Sequence, residues 1–293
     1  MLVAISGGQR VEARDAMQLA EYHCMHCGAP VVLRQSRSSG VVFAHRRRSS
    51  CTWSHAESDD HQMAKLALRD AIAARGFRIE LEWELPWFER PLESVEDLPA
   101  DHGGDRRADL VVWSPTNRPI AIELQHSAIT LKQLERRATS YASAGAAQIW
   151  LPFLEAEVLA NADERPGGKD GNRHVARYPA PRWQRWLHGY SFGELWFYEG
   201  TRGALWRGHF SSHYVTATAQ TPANNPNGQP PDVLEYQRPS KRWRGLTLWG
   251  PYRPEELRID LGYRAAAELG GYRYPAGPTA RFAAAVSSVA ASS

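Results

Sequence analysis

The chain has 293 residues, 43% of them hydrophobic, and a formal net charge of +3 at pH 7. This length permits one large domain or two modest ones, and so small a charge does not by itself establish nucleic-acid binding. No apolar run reaches the roughly eighteen residues of a transmembrane helix, and the N-terminal residues lack the charged leader and apolar length of a signal peptide. We therefore expect a cytoplasmic protein that does not bind membranes; the sequence leaves its oligomeric state open.

Residues 1–53 are predicted to form a small β module with two hairpins. Residues 2–5 and 10–13 flank Gly7-Gly8, and residues 30–34 and 41–45 flank a second turn. The module has few large apolar residues, so a structural metal is expected to supply part of its stability.

A cysteine pair between these hairpins has the spacing of a zinc knuckle. Cys24 and Cys27 are separated by two residues, and His45 and Cys51 follow downstream. We predict a structural Zn²⁺ site, because zinc takes four soft or borderline ligands. The fourth ligand stays open among Cys51, His55 and His26, and the alternative is a pair of buried free thiols beside a strand-end histidine.

Residues 54–153 predict a helix, three strands, a helix and a further strand. The first helix is expected to start at a capping box, Ser54 to Glu57, and to run to Arg75. The first strand, residues 77–85, alternates Ile79, Leu81, Trp83 and Leu85 with three glutamates, which predicts an apolar face opposite an acidic one. An acidic loop, a hairpin of residues 107–112 and 120–125, a helix over 131–144 and a strand over 148–151 follow.

The hairpin carries two carboxylates within short apolar runs. Asp109 and Glu123 are costly there unless they bind a cation, and adjacent antiparallel strands can bring them together. Two carboxylates suit a catalytic Mg²⁺, which takes oxygen ligands, water and a phosphate. Gln125 lies two positions after Glu123, on the same face, where the common nuclease pattern has lysine; its amide is expected to orient water. The alternative is a pair of edge-strand carboxylates in surface salt bridges.

Two rows of residues on the predicted helices are further candidates for site or DNA-contact residues. Glu57, His61 and Lys65 share one helix face, where they can supply a metal ligand, a proton-transfer group and a phosphate contact; otherwise the face is simply solvated. Arg137 and Tyr141, one turn apart on the second helix, are candidates for DNA contact, or else a packing pair with an ordinary ion bridge.

The third region, residues 154–293, is rich in aromatic residues. A flexible junction is predicted over 165–171, a disordered connector over 216–232 and an Ala/Ser tail over 281–293. The tryptophans, with Trp183 and Trp186 beside Arg182 and Arg185, are more typical of the core of an accessory domain than of a platform on which unpaired bases stack.

Several short motifs follow one another in a fixed order over residues 1–153. They are Met1-Leu2-Val3-Ala4, Cys24-x-x-Cys27, Phe43-Ala44-His45, Glu57-Ser58 with His61 and Lys65, Arg107-Ala108-Asp109, Ile122-Glu123-Leu124-Gln125-His126-Ser127, Arg137-x-x-x-Tyr141 and Ile149-Trp150-Leu151. In this order, the motifs resemble the competence protein CoiA-like family. The resemblance implies a restriction-endonuclease-like fold of the PD-(D/E)xK type and a role in processing DNA during recombination of DNA taken up in transformation. It also implies that Asp109, Glu123 and Gln125 occupy the active-site positions.

The sequence thus predicts an α/β protein: a restriction-endonuclease-like core with an N-terminal zinc-stabilised β module and a Trp-rich C-terminal region. The expected activity is Mg²⁺-dependent cleavage of DNA, with recombination or defence proteins as possible partners. The alternatives are a DNA-binding recombination accessory that does not cut, a nuclease of a defence or mobile-element system, and an interaction protein whose aromatic region docks a partner.

Overall fold

The computed structural model describes residues 1–36, 40–46, 51, 57–85, 107–165, 172–220 and 233–284. The protein is mixed α/β, and sheet dominates. Among these residues, no helix has the length and apolar character needed to cross a membrane.

The N-terminal module is an antiparallel five-stranded sheet with strand order β2-β1-β3-β4-β5. Both predicted hairpins are confirmed. Gly7 and Gly8 have φ values of 56° and 78°, which glycine adopts without a Cβ penalty, and so they close the first turn. The strands are β1 (Val3–Ser6), β2 (Gln9–Glu12), β3 (Tyr22–His23), β4 (Pro30–Gln35) and β5 (Val41–His45).

The central region has the predicted order of helix, three strands, helix and strand. Its sheet runs β6-β7-β8-β9, antiparallel except for the parallel β8–β9 pair, which the crossover helix α2 connects. The elements are α1 (Asp59–Ala73), β6 (Ile79–Glu84), β7 (Arg107–Trp113), β8 (Pro119–Gln125), α2 (Leu131–Ser143) and β9 (Ala147–Pro152).

The start of α1 and the faces of β6 differ from the predictions. The helix cap is Ser58, whose hydroxyl accepts the His61 N–H at 3.2 Å; Ser54, predicted to cap it, lies outside the described residues. In β6 the alternation breaks at Glu82, which has φ = 49°. As a result, Leu81 and Trp83 pack into different clusters, and Glu82 is buried instead of facing solvent.

The third region adds a five-stranded sheet, order β10-β11-β14-β13-β12, and two two-stranded ribbons, β15-β18 and β16-β17. The predicted connector is wrong over residues 216–220, which pair with β14, and the predicted tail is wrong over residues 281–284, which belong to β18. The rest of both segments lies outside the described residues. The elements are α3 (Ala156–Ala160), β10 (Asp163–Arg165), β11 (Asn172–Tyr178), α4 (Arg182–Tyr190), β12 (Leu195–Glu199), β13 (Ala204–Gln220), β14 (Val233–Tyr252), β15 (Leu257–Arg264), β16 (Ala267–Leu269), β17 (Tyr272–Tyr274) and β18 (Gly277–Ala284).

Two hydrophobic clusters cover the central sheet, because alternate residues of β7 and β8 enter different clusters. Both clusters include aromatic residues of the third region, which are therefore core residues. The α2-side cluster includes Val111, Leu134, Tyr141, Trp150, Trp186, Phe197 and Trp206. The α1-side cluster includes Leu68, Ile72, Leu110, Ile122, Trp196, Tyr198 and Phe282.

Candidate functional site

Asp109 lies in β7, opposite the N-terminal half of α1. Its Oδ2 atom lies 3.1 Å from His61 Nε2 and accepts the main-chain N–H of Leu124 at 2.9 Å. Burial alone would raise the pKa of Asp109, but the hydrogen bond and charge of His61 and the charge of Lys65 hold it well below its usual range. Asp109 is therefore a fixed, ionised carboxylate where α1 meets the sheet.

Glu57, His61 and Asp109 form a cluster that can hold a metal ion. One ligand atom from each lies within 4.8 Å of the other two. The two carboxylates offer the oxygen atoms that Mg²⁺ prefers, whereas an imidazole is more typical of transition metals. Glu57 precedes α1 and is not part of the predicted helical row, but its side chain still reaches the same site.

Lys65 is a buried cation beside this cluster. Its Nζ atom lies 2.7 Å from a Glu57 oxygen, 2.8 Å from Glu82 Oε1 and 4.0 Å from Asp109 Oδ1, and the side chain is 0% exposed. Burial opposes the charge of Lys65, but the charges of Glu82, Glu57 and Asp109 outweigh burial and raise its pKa. The predicted phosphate contact by Lys65 does not fit this structure, because its ammonium group is enclosed.

Glu82 connects Lys65 to the N-terminal module. The Leu2 N–H donates to both Glu82 oxygens at 3.3 Å, and the charge of Lys65, outweighing burial, holds the pKa of Glu82 well below its usual range. Sequence reasoning missed Glu82, because within the alternating strand it does not differ from Glu80 and Glu84, and only its positive φ turns it inward.

Glu123 is held on the other side of the sheet by α2. Tyr141 donates its hydroxyl to Glu123 Oε1, and Arg137 Nη2 lies 2.8 Å from Oε2. Burial raises the pKa of Glu123 to about 7, with a contribution from the charge of Asp109 and against the charge of Arg137. Glu123 thus lies within electrostatic reach of Asp109 but outside the group of ligand atoms around His61.

The contacts of α2 favour the packing interpretation of Arg137 and Tyr141. Tyr141 is 0% exposed, so the predicted DNA contact does not fit this structure, and Arg137 keeps its guanidinium on Glu123. Gln125, at the end of β8, donates from Nε2 to the Ser127 carbonyl at 2.6 Å. Its amide oxygen is left as an acceptor.

The N-terminal module brings together the predicted zinc ligands. The sulfur atoms of Cys24, Cys27 and Cys51 and a ring nitrogen of His45 all lie within 4.8 Å of one another. The Cys24 and Cys51 sulfurs are 3.9 Å apart, and Cys27 Sγ is 3.3 Å from His45 Nε2. Ligand bonds of about 2.0–2.3 Å in a tetrahedron give similar spacings, so these residues could bind zinc, with Cys51 completing the set. His26 is not part of it, and His55 lies outside the described residues.

The Cys27 thiol is prepared for metal binding. A hydrogen bond with the Ala29 backbone, together with hydrogen bonds to His45 and the other two cysteines, lowers its pKa to about 7, although burial acts in the opposite direction. A larger share of thiolate near neutral pH favours binding, because the thiolate is the ligand.

Residues 94–159 match the family model described as competence protein CoiA, nuclease-like domain. This match supports a CoiA-like family assignment. The matched segment contains Asp109, Glu123, Gln125, Arg137 and Tyr141, whereas Glu57, His61 and the four zinc-ligand candidates lie before it. No curated protein and no solved structure matches the chain.

Proposed function

We propose that this CoiA-like protein is an Mg²⁺-dependent deoxyribonuclease with a restriction-endonuclease-like core. The observation that carries the proposal is the cluster of Glu57, His61 and Asp109 beside the buried Lys65. Of these residues, Asp109 lies within the segment that matches the family model. The order of helix, three strands, helix and strand supports the proposed core.

In this proposal Asp109 and Glu57 bind the metal. The predicted role of Glu123 as a metal ligand does not fit this structure, because Tyr141 and Arg137 hold its carboxylate on the other side of the sheet. A bound Mg²⁺ would polarise the scissile phosphate and stabilise its developing charge. His61 orients Asp109 and is the nearest proton-transfer group, because its ring nitrogen lies 3.1 Å from Asp109. Gln125 orients a water molecule through its amide oxygen. The four-ligand zinc site stabilises the N-terminal module and takes no part in the reaction.

The test is cleavage of single- and double-stranded DNA by the full chain, with Mg²⁺ and without it. We expect Asp109→Asn and Glu57→Gln each to lower the cleavage rate by at least a hundredfold, since each loses a metal ligand. Glu157→Gln, an exposed carboxylate on α3, is the matched control and keeps the wild-type rate. Circular dichroism and thermal unfolding verify that each variant is folded. Cleavage at the wild-type rate by folded Asp109→Asn would refute the assignment.

A second candidate is a DNA-binding recombination accessory that does not cut. The uncharged Gln125 favours it, because the common nuclease pattern has lysine there; Lys65, the nearest buried ammonium, is 4.0 Å from Asp109 and already bound by carboxylates. Wild-type protein that binds DNA but leaves it intact with Mg²⁺ and with Mn²⁺ would support this candidate. DNA is the proposed partner under both.

A further inference from the structure

Strand β14 contains a wide bulge whose residues are strongly basic. Pro239 pairs with Tyr214 and Arg244 pairs with Ser212, so residues 240–243 oppose the single residue His213. We call these four residues, Ser240-Lys241-Arg242-Trp243, the basic bulge. Such bulges re-aim side chains and often accompany functional sites.

Side chains hold the basic bulge in one shape. Ser240 Oγ accepts the N–H groups of Trp243 at 3.0 Å and Arg242 at 3.3 Å. Arg244 donates to the Ser240 and Trp243 carbonyls at 2.5 and 2.7 Å, and Arg185 donates to the Lys241 carbonyl at 3.0 Å. Two arginines thus support the backbone, and the side chains of Lys241 and Arg242 extend into solvent.

Further cations surround the bulge. The guanidinium carbons of Arg177 and Arg242 lie over the Trp243 ring at 4.4 and 4.6 Å, which organises both groups through cation–π contact. Arg238 is exposed just before the bulge on β14. Burial, reinforced by the charge of Arg185, lowers the pKa of Arg244, which shows that like charges crowd together here.

The chain segments that adjoin the bulge, as far as the structure describes them, carry no acidic residue of their own. The described stretches around the bulge, residues 172–193, 201–220 and 236–252, contain neither aspartate nor glutamate. None of the ion pairs among the described residues involves Arg177, Lys241 or Arg242, although Arg173 and Arg207 at the margin do have carboxylate partners. Keeping several cations together without counter-charge costs free energy, which a bound polyanion would offset.

We propose that the basic bulge, with Arg177 and Arg238, binds the phosphate backbone of DNA. The choice of DNA rests on the proposed function, and the surface is separate from the metal cluster, because the bulge lies in β14 whereas Asp109 lies in β7. Guanidinium groups match phosphate oxygens in pairs, and contacts to the backbone hold DNA without reading its sequence. This surface anchors the substrate outside the catalytic centre.

The test compares the wild type with Lys241→Gln/Arg242→Gln in the full chain. The control, Arg258→Gln/Arg273→Gln, removes the same charge from two exposed arginines that have carboxylate neighbours. Affinity for a labelled DNA duplex is measured by fluorescence anisotropy at a series of KCl concentrations without added Mg²⁺. We expect the bulge variant to bind at least tenfold more weakly than the wild type. The slope of log affinity against log salt concentration should fall in magnitude by about 1.8, because each of the two lost phosphate contacts contributes about 0.9. In the control variant, affinity and salt slope should each differ from the wild type by less than half of the change expected for the bulge variant.

Unchanged affinity and salt slope in the folded bulge variant would overturn the proposal. The proposal would also be overturned if the bulge variant binds anionic phosphatidylglycerol vesicles more weakly than the wild type but binds DNA with wild-type affinity. Cleavage is measured in parallel, and the bulge variant should raise KM with little change in kcat. If the wild-type protein does not cleave DNA but its DNA binding depends on Lys241 and Arg242, the proposed nuclease activity is refuted and the proposed DNA-binding surface is supported.

Discussion

Lys65 is the residue on which the electrostatics of the site depend. It is fully buried, and three carboxylates, Glu57, Glu82 and Asp109, lie within 4.0 Å of its ammonium group. A buried ion pair adds little net stability, but removing one partner leaves the others uncompensated. The charge of Lys65 lowers the pKa of Glu82 and, after the larger effect of His61, contributes to the low pKa of Asp109, so these two carboxylates are ionised at neutral pH without a metal.

We predict that Lys65→Met destabilises the protein by about 3–5 kcal/mol, because it removes the one buried ammonium group from this carboxylate cluster. Urea unfolding without metal measures the change. Lys132→Met, which alters an exposed lysine at the start of α2, is the control and should stay within about 0.5 kcal/mol of the wild type.

The double variant Lys65→Met/Glu82→Gln distinguishes charge from packing. It should recover part of the lost stability, because it also removes one of the uncompensated charges. If Lys65→Met alone unfolds at the wild-type urea concentration, the lysine does not compensate the carboxylates.

At the scale of elements, the N-terminal module depends on its cysteine cluster. Its own hydrophobic cluster is small, and two of its members are Cys24 and Cys51. The module also contacts the central sheet through Leu2 and Arg10. The Leu2 N–H donates to Glu82. Arg10 donates to the Leu81 carbonyl at 2.6 Å, and its guanidinium carbon lies 4.7 Å from the centre of the Trp83 ring. Loss of the metal should therefore loosen both the module and the wall of the site beside Glu82.

We predict that the purified chain carries about one zinc ion, as expected of a single four-ligand site. Cys24→Ser and Cys51→Ser should lose the metal and unfold at lower temperature, because zinc binding here contributes directly to folding. His26→Asn, which changes an exposed residue of the same knuckle, is the control and should retain zinc. Metal analysis measures the zinc content of each protein, and thermal unfolding measures its stability. A metal-free wild type with three freely reactive cysteines would contradict the site.

At the scale of the whole molecule, the hydrophobic core crosses the predicted boundary at residue 153. Trp150 of β9 shares the α2-side cluster with Trp186 and Trp206, and Tyr198 packs into the α1-side cluster. Phe153 pairs with Tyr198 in a β-bridge, and the Leu154 N–H donates to the Tyr198 carbonyl at 2.8 Å. The composition shift after Phe153 therefore does not coincide with a break in packing.

We predict that a fragment of residues 1–153 does not fold by itself. Without the third region both faces of the central sheet lose aromatic cover, and each buried side chain of this size stabilises the fold by roughly 1.5–3 kcal/mol. Circular dichroism and cooperative urea unfolding test the fragment against the full chain. A cooperative, native-like transition of the fragment would show that the regions are independent domains.

Short-range sequence patterns determined most elements of residues 1–153 and the cysteine–histidine group of candidate ligands. The spacing of Cys24 and Cys27, the turn at Gly7-Gly8 and the apolar runs around Asp109 and Glu123 are local signals, because strand pairing and turn chemistry depend on neighbouring residues. They were sufficient to predict both N-terminal hairpins, the order of the central elements and the cysteine–histidine ligand set, with its fourth member left open.

Only the tertiary structure decided how the charged residues are used. Lys65 and Tyr141 have the sequence context of solvent-facing groups, yet both are buried on carboxylates, and Glu82 turns inward because of one backbone angle. The basic bulge likewise exists because β14 pairs with β13 around three extra residues. Such choices depend on contacts between residues far apart in the chain, and their free energy arises from burial and charge pairing that no local pattern contains.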